Sequence, residues 1–186
     1  MNWNRHSNLE GAHAFLGASK YSWLNKNDEE LIDSYRNSFA TTIGTLLHSY
    51  AADSIRFREK LRKGDAKSVK FDLMRRGVPE FAIDIRNVFP TLMRYVNDSI
   101  GFQMDPEVLL YYSDVCFGTT DAIQYYSTDN LLRINDVNTG VTPAKMDQLK
   151  VYSALFFLEY GHKPEKKQNR IKNISAGRLY SLRTRT

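Results

Sequence analysis

The sequence predicts an α+β fold in which helices flank a small, mostly antiparallel sheet, and three observations carry that reading. From about Phe39 to Lys60, and again from Phe81 to Ile100, apolar residues recur at helical spacing. From Glu107 to Val137 the chain is rich in β-branched and aromatic residues, broken by Ser-Asp, Gly-Thr and Ser-Thr-Asp-Asn turn signals. After Pro143 the helical spacing returns. Helices, then a meander, then a helix give a layer of helices on a sheet.

Each element follows in order. Residues 7–25, SNLEGAHAFLGASKYSWLN, mix aromatics with small residues and predict a packed, partly irregular arm. Asp28 is placed to cap a helix starting at Glu29, with Leu31 facing inward. In the long helix Phe39, Ile43, Leu47, Tyr50, Ala51 and Ile55 share a face, and RKGD at 62–65 ends it. Residues 66–77 predict a short charged helix stopping at Gly77, before Pro79. The next helix puts Ile85, Val88, Phe89, Leu92, Met93 and Val96 on one side, and Pro90 predicts a kink or break in it. Three antiparallel strands are expected at about 107–113, 117–126 and 131–137. Pro143 opens the last helix, with Met146, Leu149, Tyr152, Ser153 and Phe156 spaced for burial. After Tyr160 the pattern fades.

At 186 residues the chain suits one domain with a real core. Its 42% hydrophobic and 25% charged residues are ordinary for a globular protein. The longest apolar run, around SALFFLEY, is too short for a membrane span. The polar start MNWNRHSNLEG lacks a signal-peptide core, so a cytoplasmic protein without membrane association is expected. A single cysteine, Cys116, excludes an internal disulfide, a four-cysteine zinc site and an iron–sulfur cluster; its apolar surroundings predict a packed strand thiol. The net charge of +5 is uneven. From Lys163 onward eight basic residues face one acid, Glu165, so residues 163–186 form a basic tail of +7 and the rest sums to −2. Such a segment suits a polyanion partner as well as it suits a solvated end.

Four short motifs stand in a suggestive order. GTLLH places His48 within a helix; FGTTDAI places Asp121 in the middle strand; INDVNTG places Asp136 and Asn138 at the end of the next; QLKVY places Gln148 and Tyr152 one helical turn apart. Carboxylates on neighbouring strands can meet a hard divalent cation together, and the carbonyl of Val137 adds an oxygen donor. Positions 136 and 138 share a strand face, because the period is two. Taken singly, His48 reads as a core-edge histidine, Asp136 as part of a turn, and Gln148 with Tyr152 as an amphipathic pair. Asp121 is harder to dismiss, because an acid flanked by apolar residues in a strand needs a partner or a metal.

Together, GTLLH at 44–48, GTTD at 118–121, DVNTG at 136–140 and QLKVY at 148–152 resemble the PD-(D/E)XK nuclease superfamily in its RecB-like branch. The arm HAFLGASKYSW at 13–23 is similar to that of a phage or prophage exonuclease group. The resemblance covers roughly residues 5–162. It implies one nuclease-like domain over 1–162, with a helical part to about 105 and the sheet and last helix over about 106–160. It implies magnesium or manganese held by His48, Asp121, Asp136 and the Val137 carbonyl, with Gln148 and Tyr152 orienting the DNA strand and the site. The activity implied is phosphodiester hydrolysis on DNA, in a bacterial host cell, with a homo-oligomer or a phage recombination protein as the expected kind of protein partner.

Two departures accompany it. Where the family has a lysine that steadies the attacking water and the developing phosphorane charge, this chain has Asn138, which donates a hydrogen bond but carries no charge. Lys145, three residues before Gln148 on the same helix face, is the candidate for a migrated lysine. The alternative function is a nuclease-fold protein that binds or regulates DNA without cutting it. Related chains also continue after the last helix with an amphipathic strand, whereas KPEKKQNRIKNISAGRLYSLRTRT shows no such alternation and predicts none.

Overall fold

The three expected strands form β1 (Asp105–Ser113), β2 (Cys116–Tyr126) and β3 (Leu131–Asn138), paired antiparallel in sequence order. The structure, a computed structural model, describes Ser7 and residues 14–138, 146–162 and 166–173, without the side chains of residues 20, 166, 167 and 169–173. The predicted helix start at Pro143 lies outside the described residues. The chain divides into two compact units, Met1–Ser38 and Phe39–Thr186.

In the first unit a 3-10 segment, Ala18–Asn25, leads into α1 (Asp28–Ser38). Asn27, not Asp28, caps this helix. Its Oδ1 accepts from the Glu30 N–H at 2.9 Å, and Glu30 Oε2 accepts from the Asn27 N–H at 3.1 Å, so two orphan donors are satisfied reciprocally. Leu31 is half-buried, and no residue of α1 is fully buried.

In the second unit α2 (Ala40–Arg56) ends before RKGD, because Arg58 turns left-handed with φ 58° and stops the helix. RKGD instead starts the next helix: Asp65 Oδ2 accepts from the Arg62 N–H at 2.7 Å, in a 3-10 turn that runs into α3 (Ala66–Arg75). That helix closes at Gly77, with φ 86°, as the sequence predicts. Phe81 sits in a short 3-10 turn, and α4 (Ile85–Gly101) starts after it, capped by Asp84. Pro90 does not break α4. It lies near the start, where its missing N–H deprives only the Arg86 carbonyl, and burial of Val88, Phe89, Leu92, Tyr95 and Val96 holds the helix together.

Residues 166–173 correct the expectation of a tail without a strand. They form β4 (Lys166–Asn173), parallel to β3 over eight pairs from Leu131↔Lys166 to Asn138↔Asn173, in a sheet of order β1-β2-β3-β4. A parallel strand needs a crossover, which α5 (Met146–Tyr160) supplies. The sequence hides this strand because KKQNRIKN is polar but for Ile171 and shows no alternation. An edge strand needs no alternation, and lysines there discourage pairing with other chains.

The sheet separates two cores. On one face Ala122 and Val137 join buried residues of α2, α3 and α4, among them Leu47, Ile55, Leu73, Leu92 and Val96. On the other, Leu110, Ile123, Leu132 and Ile134 pack with Leu149, Leu155 and Phe156 of α5. Two smaller expectations fail. Met146 is exposed, since it lies in the first turn of α5 ahead of Leu149. Cys116 is exposed too, because it sits at the tip of the β1–β2 hairpin, opposite Ser113.

Candidate active site

Helix α2 buries Ile43, Leu47, Ala51 and Ile55 at three- and four-residue spacing. His48 follows Leu47, so it stands about 100° round the helix from the buried stripe, at its edge and half-buried. There it meets β2: His48 Nδ1 lies 3.3 Å from Asp121 Oδ1. The other oxygen, Asp121 Oδ2, accepts the Val137 N–H from β3 at 2.8 Å. A mid-strand acid thus spends both oxygens on neighbours, as a partly buried carboxylate must.

Asp136 comes from the same register. The Ala122↔Asn135 pair places Asp121 and Asp136 opposite each other one step further on. Asp136 is 8% exposed. Burial pushes its carboxyl up to about 7, helped by the charge of Asp121 and a hydrogen bond to it and opposed by His48. The hydrogen bond with Asp121 likewise raises the His48 imidazole, against its burial, and the charges of Asp121, Asp136 and Glu107 add to the rise. Two carboxyls and an imidazole therefore converge from three elements.

Gln148 and Tyr152 act as a pair. Gln148 Nε2 donates to the Tyr152 hydroxyl at 3.1 Å, and that hydroxyl donates to the Thr119 carbonyl at 2.7 Å. Helix α5 is so pinned to β2 two residues before Asp121. Gly118 makes the approach feasible, since a Cβ there would lie 2.9 Å from the Tyr152 ring. Gly118→Ala is expected to push the ring away and cost about 1–3 kcal/mol in urea denaturation, with the Tyr152–Thr119 bond lost. An unchanged midpoint would mean the ring moves at no cost.

Asn138 ends β3, half-buried, on the face Asp136 shares by the two-residue period. Lys145 lies outside the described residues. Two residues the motifs do not mark also border the site. A small pocket is lined by His48, Ala51, Ala52, Tyr95, Glu107, Asp121 and Val137. Glu107 falls between the pairs Pro106↔Ala122 and Val108↔Thr120, which puts it opposite Asp121, and its φ is 53°. Once the hairpin register is pinned, the sequence contains this placement. Tyr95 continues the Val88, Leu92 stripe of α4 and reads from sequence as plain core.

The donor types, two carboxylates, an imidazole and the Val137 carbonyl expected from sequence, are ones that a divalent cation accepts. A cation would also relieve the buried, opposed carboxyls. Among the described residues, however, no three His, Cys, Asp or Glu side chains are grouped so as to hold a metal by themselves. Magnesium, which keeps several waters and binds through one or two carboxylates, makes no such demand. Among the described residues no helix is long and apolar enough to cross a membrane. Compared with protein-family models, with curated proteins and with solved structures, the chain finds no match.

Proposed function

We propose that this chain is a divalent-metal-dependent deoxyribonuclease of exonuclease type. The observation that carries the reading is the cross-strand pair Asp121 and Asp136 met by His48 at 3.3 Å, in the motif order that resembles RecB-like nucleases. The strand β4 adds support, since the resemblance implies a strand after the last helix that extends the sheet. Asp121, Asp136, His48 and the Val137 carbonyl would hold magnesium or manganese. The bound metal would lower the pKa of a water and neutralise the scissile phosphate. The chain's own residues do the positioning. Val137 N–H fixes one Asp121 oxygen, His48 fixes the other, and the Gln148–Tyr152 pair fixes the strand that carries Asp121. DNA is the proposed partner, in the cytoplasm of a bacterial host carrying a phage or prophage. The +7 segment from Lys163 would hold the phosphate backbone, so binding should weaken steeply as salt rises. A homo-oligomer or a phage recombination protein remains the proposed protein partner.

Asn138 favours a second reading, a nuclease-fold protein that binds DNA without cutting it. Lys145 is the residue that would restore cutting. The test is manganese-dependent cleavage of linear single- and double-stranded DNA by the unmodified chain and by Asp121→Ala, Lys145→Ala and Asn138→Lys. Cutting by the unmodified chain that Asp121→Ala abolishes supports the nuclease. Loss in Lys145→Ala assigns the lysine's role to position 145. Cutting by Asn138→Lys alone identifies a disabled nuclease. No cutting by either overturns the enzymatic reading.

A further inference from the structure

Tyr95 is the most deeply buried large side chain at the edge of this site, 1% exposed. Its hydroxyl is buried without a hydrogen bond of good geometry among the described residues. The polar neighbour near enough to interact is Ser99, one turn along α4, whose Oγ already accepts from Asn135 Nδ2 at 3.4 Å. A phenol left so poorly paired costs stability that phenylalanine would not. Tyr95 also lines the pocket shared by His48, Glu107, Asp121 and Val137, of about 10 Å³, room for about one water molecule, and its phenol feels the charges of Asp121, Asp136 and Glu107. Burial, then the charges of Asp121 and Asp136, hold the phenol well above its usual pKa, so it remains a donor.

Glu107 bounds the same pocket. A left-handed backbone at a residue other than glycine is uncommon inside a strand. Here φ 53° occurs at the residue opposite Asp121, and the carboxylate is held by Arg56 Nη2 at 2.9 Å. The pocket is therefore walled by a donor that lacks a good acceptor and by two carboxylates, which are acceptors. One water placed among them would give the phenol an acceptor and add one hydrogen bond to each carboxylate, beside those from His48, Val137 and Arg56.

We propose that Tyr95 is a positioning residue of the site: its hydroxyl anchors one buried water that Glu107 and Asp121 share, and this water holds the Asp121 carboxylate in its metal-binding orientation. The inference rests on the metal reading of Asp121 and Asp136 and extends it to two residues outside the motifs.

The experiment is calorimetric titration of manganese into the unmodified chain, Tyr95→Phe and Glu107→Gln, with thermal denaturation of each. Phenylalanine keeps the ring and removes the donor. Glutamine at the half-exposed position 107 disturbs no core. The expected result is manganese affinity weakened about five- to tenfold in both variants, with the melting temperature of Tyr95→Phe unchanged or raised. If Tyr95→Phe melts lower as well as binding more weakly, Glu107→Gln decides: weakened binding there supports the shared water, and unweakened binding overturns it. Unchanged affinity in Tyr95→Phe overturns the proposal and leaves the metal site standing. No manganese binding by the unmodified chain overturns the metal reading and this inference with it.

Discussion

Replacing Asn138 with lysine is expected to raise the rate of manganese-dependent DNA cleavage by about 10²–10³-fold, with manganese affinity little changed. Asp121, Asp136 and His48 are the proposed metal donors, and none of them is altered by the change. Position 138 shares the Asp136 face, two residues along β3, and so borders the reacting phosphate in the proposed site. An amide there can donate a hydrogen bond, but the transition state gathers negative charge, and a fixed cation meets it without reorganising. Removing one such preorganised donor from an enzyme typically costs about 3–4 kcal/mol, and adding one where the scaffold expects it should return a similar amount. The measurement is a single-turnover rate with saturating manganese on linear DNA, so that changes in metal or DNA affinity drop out. If the rate rises less than tenfold, the missing charge is already supplied, and Lys145→Ala in the same background identifies whether that residue supplies it. A rise confined to apparent DNA affinity would mean that lysine adds only a phosphate contact.

How far the sequence carried this picture depends on the length of the pattern behind each part. The β-meander was legible because the segment is rich in β-branched and aromatic residues and a clear turn at Ser127–Asn130 separates β2 from β3. Its register then follows, and with it the opposition of Asp121 and Asp136. Helix ends were less legible. Arg58 stops α2 by adopting a left-handed backbone, which no composition rule assigns to arginine. The strand β4 was illegible for a different reason. Its pairing with β3 is backbone to backbone, and its sequence, polar but for Ile171, carries no period to read. In the site, residues in short motifs could be found and residues placed by tertiary packing could not. Tyr95 looks like one more apolar position on α4, and only the folded arrangement brings it to the pocket that Asp121 and Glu107 line. Glu107 lay between these cases, hidden by a hairpin register that the sequence leaves free until the Ser113–Cys116 turn is fixed.

Asp136→Asn is expected to abolish metal binding and yet make the metal-free protein more stable above neutral pH. The sign follows from the shift. Burial and Asp121 push the Asp136 carboxyl up to about 7 in the folded chain, against about 3.9 when unfolded. The folded state therefore binds this proton more tightly. The stability it contributes is fully present below about pH 4 and is lost as pH rises through about 7. His48 acts in the same direction, since its pKa is also raised on folding: its contribution is full below the unfolded imidazole value and fades as pH rises through the folded one. A shift of that size corresponds to about 4 kcal/mol, and sharing of the proton with Asp121 reduces what one substitution recovers to about 2–4 kcal/mol. Asparagine is neutral at every pH and has the shape of the protonated acid, so it removes the cost of the buried anion while keeping a donor toward Asp121. Urea denaturation without metal should give the two proteins equal stability near pH 4 and favour Asp136→Asn near pH 8. Manganese should reverse the order near pH 8, since it stabilises only the chain that binds it. Such a reversal is what a binding site held under electrostatic strain must show, with Asp136 tolerated at a cost that a bound cation would offset. If Asp136→Asn is instead the less stable protein near pH 8 without metal, then the His48 imidazolium compensates Asp136 in the fold, and the pair is a structural ion pair rather than the seat of a metal.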